Sequence, residues 1–292
     1  MSFTYRDETL ELNEVTRKAA SGSFVEISDG FVHYELSNAE ATGTVVLVHG
    51  FSVPYFIFDP TFEFLTQSGF RVLRYDLFGR GFSDRPDTDY NMDLFVRQLI
   101  QLLDALNVRQ PVSLVSLSAG GPISAAFTAR FPERVHKLVL IDPVGARPFL
   151  LGRVLRAAAM PLLGELLVGV LMSIRLAKVI AASPLDRERI GDFGPGYIAQ
   201  MQFKGFKRAI ISSIRNNLLG DWRRVYEEVG KIGTPVLLLW GRKDTAVPFQ
   251  HSDVLQAAIP NLEFHAIENA GHNPHYEKPE EVNPILLKFL EN

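Results

Sequence analysis

The chain has no cysteine among its 292 residues. That excludes a disulfide framework, a thiolate nucleophile, iron–sulfur clusters and cysteine-bound zinc. It has no excess of positive charge: 30 Lys and Arg stand against 33 Asp and Glu, a net of −3. A duplex-binding protein is therefore not expected, and no nucleic-acid partner is assigned. It also lacks an unbroken apolar span. Two windows carry no charge, Ala41–Phe58 and Gln110–Ala129. The first is interrupted by His49-Gly50 and Pro54, the second by Gly120-Gly121 and Pro122. Breakers at mid-span argue against a membrane helix, so each window reads as a buried strand running into a turn. Met1–Ala20 mixes Arg6, Asp7, Glu8, Glu11, Glu14, Arg17 and Lys18 and has no apolar h-region. No secretory signal is visible there, and a cytoplasmic location is expected.

What the chain does have is unevenly distributed. Residues 145–220 hold 11 Lys and Arg against 4 Asp and Glu, leaving 19 basic and 29 acidic residues elsewhere. The same stretch lacks the strand-like runs found on either side. Before it, Phe24–Glu35 reads as a hairpin around Asp29-Gly30. Strands are then expected at Val45–Val48, Val72–Leu77, Val112–Leu117 and Leu138–Ile141. Helices are expected at Asp59–Gly69, around Leu94–Leu106 and at Ala119–Phe131. After it, strands Val236–Trp240 and Leu262–Ile267 alternate with helices Ser252–Ile259 and Pro279–Leu290. Repeated βα units call for a mostly parallel sheet covered by helices on both faces. The domain plan is an N-terminal extension (1–23), a core made of 24–144 and 221–292, and a helical insertion (145–220). In such sheets chemistry sits at the carboxyl ends of the strands.

Those ends carry a set of residues that fit one reaction. Strand Val112–Leu117 runs into Ser116-Leu117-Ser118-Ala119-Gly120-Gly121 and then a helix. A serine on a tight strand-to-helix turn needs small neighbours two residues before and after, which Ser116 and Gly120 supply. The turn lifts the Ser118 hydroxyl above the sheet, with the positive end of the helix aimed at it. A nucleophilic serine needs a base, and the base a partner that fixes its tautomer. His272 follows the last strand and Asp244 follows strand Val236–Trp240, so all three fall on one sheet edge. A tetrahedral intermediate needs two amide donors. The Ala119 amide, next to the nucleophile, is one candidate. The Phe51 amide, in the loop after strand Val45–Val48, is the other. His49 is expected to shape that loop rather than act as a base.

With these residues in place, the sequence resembles the α/β-hydrolase fold superfamily in its capped, small-esterase-like branch. The His49-Gly50 segment resembles the family's oxyanion loop. The run from Asp76 to Pro86 resembles its D-x-x-G-x-G-x-S-x-x-P loop, and Ser118, Asp244 and His272 fall on its triad positions. The resemblance covers about residues 24 to 290 and departs at Ser116, where the elbow usually has Gly. It implies an eight-stranded, mostly parallel α/β sheet with helices on both faces and residues 145–220 as the cap. It also raises Asp142 as a second acid, since some members place the acid after that strand. Dehalogenases and epoxide hydrolases of this superfamily use an Asp nucleophile where this chain has Ser118. Carbon–carbon bond hydrolases of aromatic degradation stay close, although many have Trp where this chain has Asn273. Proline iminopeptidases remain open, but no acidic cluster in the cap offers to hold a substrate ammonium.

The expectation is a cofactor-independent serine hydrolase of small-molecule carboxylic esters. Its catalytic residues are Ser118, Asp244 and His272, and its oxyanion donors are Phe51 and Ala119. No metal is assigned, because the His272 and His275 pair is interrupted by Pro274 and has no third ligand nearby. The alternatives are a carbon–carbon hydrolase and a non-catalytic ligand-binding module of the same fold. The basic, apolar cap also suggests transient contact with a membrane surface or a preference for anionic substrates. The stripe Leu162, Leu163, Leu166, Leu167, Val170, Leu171 and Ile174 reads as core or as acyl-pocket lining. Oligomeric state is left open.

Overall fold

Eight strands form one sheet in the computed structural model, which describes residues 5–37, 43–147, 159–171 and 193–292. β1 (Ser23–Ile27) and β2 (Gly30–Leu36) make the hairpin, with its turn at Ser28-Asp29. β2 runs antiparallel to β4 (Arg71–Tyr75), which lies parallel to β3 (Thr44–Val48). β5 (Val112–Leu117), β6 (Val135–Ile141), β7 (Val236–Gly241) and β8 (Glu263–Ile267) then add in parallel. The order across the sheet is β1-β2-β4-β3-β5-β6-β7-β8.

The central strands are continuous apolar runs because both faces of the sheet are covered. Val46 and Val48 of β3, Leu138 and Leu140 of β6, and Leu238 and Trp240 of β7 enter one cluster. Their alternating neighbours Val45, Leu47, Val139, Ile141, Leu237 and Leu239 enter the other. Each such side chain contributes about 1.5–3 kcal/mol on burial, which neither face could forgo. The first cluster is closed by α3 (Met92–Ala105), α4 (Gly120–Arg130), α8 (Arg223–Ile232) and α9 (Ser252–Ala258). The second is closed by α2 (Asp59–Gln67) and α11 (Pro279–Glu291). β6 starts three residues earlier than expected, because the polar pair His136-Lys137 does not end it. Lys137 is buried and its ammonium donates to the last-turn carbonyls of Phe289 and Leu290, both at 2.9 Å. A cation there satisfies carbonyls that α11 cannot bond itself.

Between β6 and α8 lie, among the described residues, α5 (Leu163–Leu171), α6 (Phe193–Met201) and α7 (Phe206–Arg215). The N-terminal residues fasten to them. Tyr5 packs with Val168 of α5 and Ile211 of α7. The Glu8 carboxylate accepts from the amides of Gly205 (2.8 Å) and Lys207 (2.7 Å) at the start of α7, where free N–H groups favour an anion. Asp7 pairs with Lys207 and Glu11 with Lys204, upstream of α1 (Glu14–Ala19). Arg208 and Arg215 have Asp87 and Glu165. Four of the eleven basic residues of this stretch are therefore paired, and six others lie outside the described residues. The apolar stripe is not core at its described positions. Leu162, Leu163 and Leu166 are exposed, because Val168 is the face that Tyr5 and Ile211 cover. The side chains of Val170 and Leu171, and Ile174 altogether, lie outside the described residues. Among the described residues no helix is long and apolar enough to cross a membrane.

Candidate active site

Four neighbouring strands end in four polar residues. Ser118 follows β5, Asp142 follows β6, Asp244 lies just past β7, and His272 lies beyond β8. Ser118 has a left-handed backbone, φ 53°, a conformation costly for a residue with a Cβ. The turn is locked from several sides. The Ser118 amide donates to Ile141 O (2.9 Å), and its carbonyl accepts from Gly121 (3.0 Å) and Val144 (3.1 Å). Gly120 has no room for a side chain, since a Cβ there would stand 2.4 Å from Val48 O. Ser116, the departure from glycine, turns its hydroxyl away to donate to Val139 O at 2.8 Å. It therefore tightens the β5–β6 pairing rather than touching Ser118.

His272 links the other two expected residues. Its Nε2 lies 3.0 Å from Ser118 Oγ and its Nδ1 lies 2.7 Å from Asp244 Oδ2. The second Asp244 oxygen accepts from the amides of Ala246 (2.7 Å) and Val247 (2.8 Å), so the carboxylate has a fixed orientation in a buried position. With Asp244 accepting at Nδ1–H, Nε2 is left as an acceptor facing the serine hydroxyl. The Glu277 carboxylate at the end of α10 (Pro274–Glu277) accepts from the amides of Gly271 and Asn273, on either side of His272. His275 is buried against Phe58, with ring centroids 4.7 Å apart, and burial pushes its imidazole down to about 3. It does not join His272 at a common point.

The loop after β3 passes close to the serine. A Cβ on Gly50 would lie 3.2 Å from Ser118 Cβ. Neither the Phe51 amide nor the Ala119 amide donates a hydrogen bond among the described residues. His49 shapes this loop. Its Nε2 accepts from Leu77 N (2.9 Å), which leaves Nδ1–H to meet Gly50 O (2.9 Å), and burial holds it down at about 4.

Helices α6 and α7 grip this loop through contacts that sequence reasoning missed. The fully buried Arg80 donates to Phe51 O (2.8 Å), Phe78 O (3.0 Å) and Ser213 Oγ of α7 (2.9 Å). Burial, with no carboxylate partner among the described residues, lowers its guanidinium to about 10. Gln200 of α6 donates to Ser52 O (2.7 Å) and accepts from Gly81 N (2.9 Å), and Tyr197 donates to Ser52 Oγ (3.2 Å). Beneath them His33 Nδ1 meets Asp76 Oδ2 at 2.7 Å and its Nε2 meets Ser21 O at 2.6 Å. Both ring nitrogens face acceptors, so only the imidazolium satisfies them. Burial opposes that charge, but Asp76 outweighs it and holds the proton on more tightly than usual.

A strand order and strand-end site of this kind define the α/β-hydrolase fold. The model of the alpha/beta hydrolase family matches residues 45–285, and the chain belongs to that family. Among curated proteins it is 30% identical to 2-hydroxy-6-oxononadienedioate/2-hydroxy-6-oxononatrienedioate hydrolase 1 of Pseudomonas putida, over 96% of this chain and 99% of that one. Among solved structures it is similar to a meta-cleavage product hydrolase from Pseudomonas fluorescens, with TM-score 0.76 and 22% identity over 92% of this chain and 97% of that one. An esterase from Exiguobacterium antarcticum gives TM-score 0.77 and 20% identity over 93% of this chain and all of its own.

Proposed function

We propose that this chain is a cofactor-independent serine hydrolase of carboxylic esters, working through Ser118, His272 and Asp244. The observation that carries this reading is the unbroken line of hydrogen bonds from Asp244 through His272 to Ser118. His272 Nε2 takes the Ser118 proton as Oγ attacks the ester carbonyl, and Asp244 stabilises the imidazolium that forms. The carbonyl oxygen becomes an oxyanion held by the Phe51 and Ala119 amides, next to the positive end of α4. Collapse of this intermediate expels the alcohol, which receives the proton from His272. Water, activated by the same imidazole, then releases the acid and restores Ser118. Helices α5, α6 and α7 act as a cap over the acyl group.

A second reading is carbon–carbon bond hydrolysis of a vinylogous diketo acid. The named activity of the Pseudomonas putida relative favours it. The two readings share the serine, the base and the oxyanion site and differ in the leaving group, carbon in place of oxygen. A panel of p-nitrophenyl esters of increasing chain length, assayed beside one 2-hydroxy-6-oxo-dienoate, separates them. Ester turnover well above dienoate cleavage supports the first reading, and the reverse ranking supports the second. Ser118→Ala is expected to lower turnover by on the order of 10⁴-fold or more and to abolish fluorophosphonate labelling. Wild-type rates in that variant would sink both, and a wild-type chain that neither labels nor turns over any of these substrates would indicate a ligand-binding module.

A further inference from the structure

β6 delivers a residue that this chemistry leaves unused. Asp142 stands between the strands that carry Ser118 and Asp244, with a left-handed backbone (φ 41°) and a fully buried side chain. Its Oδ1 accepts from the Gly241 amide at 2.9 Å, while its Oδ2 has no hydrogen-bond donor among the described residues. One side-chain ligand atom from each of Asp142, Asp244 and His272 lies within 4.8 Å of the others. Two carboxylates this close in a dry site cannot both remain charged. The charge belongs on Asp244, which has two amides and His272 to stabilise it, whereas Asp142 has one amide. Burial first, and then the Asp244 carboxylate beside it, push the Asp142 carboxyl well above the usual carboxylate range, and Glu277 adds the same sign.

We propose that Asp142 is a positioning residue: a neutral carboxylic acid whose O–H donates to the Asp244 carboxylate and holds it against His272. The proton on Oδ2 gives that buried oxygen a partner, and it supplies Asp244 with a fourth donor beside the two amides and the His272 Nδ1–H. Asp142 transfers no proton during turnover. Its effect is to share the Asp244 negative charge, so that the imidazolium is stabilised without being trapped.

The inference rests on the proposed roles of Ser118, His272 and Asp244, so Ser118→Ala is assayed alongside; activity surviving in that variant would fault those roles rather than Asp142. An amide at position 142 can donate as the acid does. Asp142→Asn is therefore expected to keep kcat within about threefold of wild type, whereas Asp142→Ala loses about tenfold or more with KM little changed. In the alanine variant the acid limb of the kcat/KM profile should also move to higher pH, because Asp244 attracts the imidazolium more strongly. An asparagine variant as impaired as the alanine variant would mean that a charge is needed at 142 and would overturn the proposal. So would an alanine variant with wild-type kcat and an unmoved acid limb. If Asp142→Ala fails to fold, infrared difference spectroscopy decides the matter. A protonated-carboxyl stretch present in the wild-type enzyme at neutral pH and lost in Asp142→Asn is expected, and its absence from wild type would overturn the idea.

Discussion

Glu277 holds His272 by its backbone: its two carboxylate oxygens accept from Gly271 N at 2.5 Å and Asn273 N at 3.1 Å. The imidazole is thus fixed twice, by Asp244 at the ring and by Glu277 at the chain. Glu277→Ala frees both amides and is expected to lower kcat about tenfold with KM within about twofold, since the proposed base is misplaced and the substrate contacts are not. Steady-state kinetics with one ester check this. A rise in KM with kcat intact would show that the loop serves binding instead.

Arg80 ties three segments together through neutral acceptors on Phe51, Phe78 and Ser213. Lysine keeps the charge but cannot span three directions with one ammonium. Arg80→Lys is expected to reduce kcat by about tenfold and to lower Tm, because the carbonyl that orients Phe51 loses its donor. Kinetics and a thermal melt on the same sample test it. A variant that matches wild type in both would remove Arg80 from any role in the proposed oxyanion loop.

The His33–Asp76 pair makes stability depend on pH in two directions. His33 holds its proton more tightly when folded, so its contribution is full below about pH 6.5 and drains away as pH rises through the folded value. Asp76 is the opposite case. Burial opposes its charge, but His33 and the Tyr55 amide win and keep it below the usual carboxylate range. Its contribution is present above about pH 4 and is lost as pH falls through the folded value. The Tm gap between wild type and His33→Gln should be widest near pH 5–6 and narrow toward pH 9. A gap that is constant or grows with pH would contradict a charged His33.

The strand pattern was legible because apolar runs report burial directly, and β3, β5, β6 and β7 are buried on both faces. The meeting of Ser118, Asp244 and His272 at one sheet edge was legible for a related reason, since a strand end followed by a turn is a local signal. Arg80 was not. Its bond to Ser213 joins positions 133 apart, and the Gly81–Gln200 bond joins positions 119 apart, so neither leaves a local trace. Glu277 sits only five residues past His272, yet a lone glutamate there looks like any solvated charge until α10 turns it back. Asp142 could be named as an acid from its strand, but its missing donor appears only when β6 lies beside β7. The exposure of Leu162 and Leu166 was hidden because helical spacing tells which residues share a face, not what covers that face.

The hydrogen bond between Ser118 and His272 joins positions 154 apart, and the one between Asp244 and His272 joins positions 28 apart. A nascent chain that has emerged through β6 already carries the serine, its elbow and both candidate amides. On the proposed chemistry it carries no proton acceptor, so its serine is an ordinary alcohol. Competence arrives only when β7 and β8 add to the sheet edge. On that chemistry an incomplete sheet is an inactive one, a consequence of strand order alone.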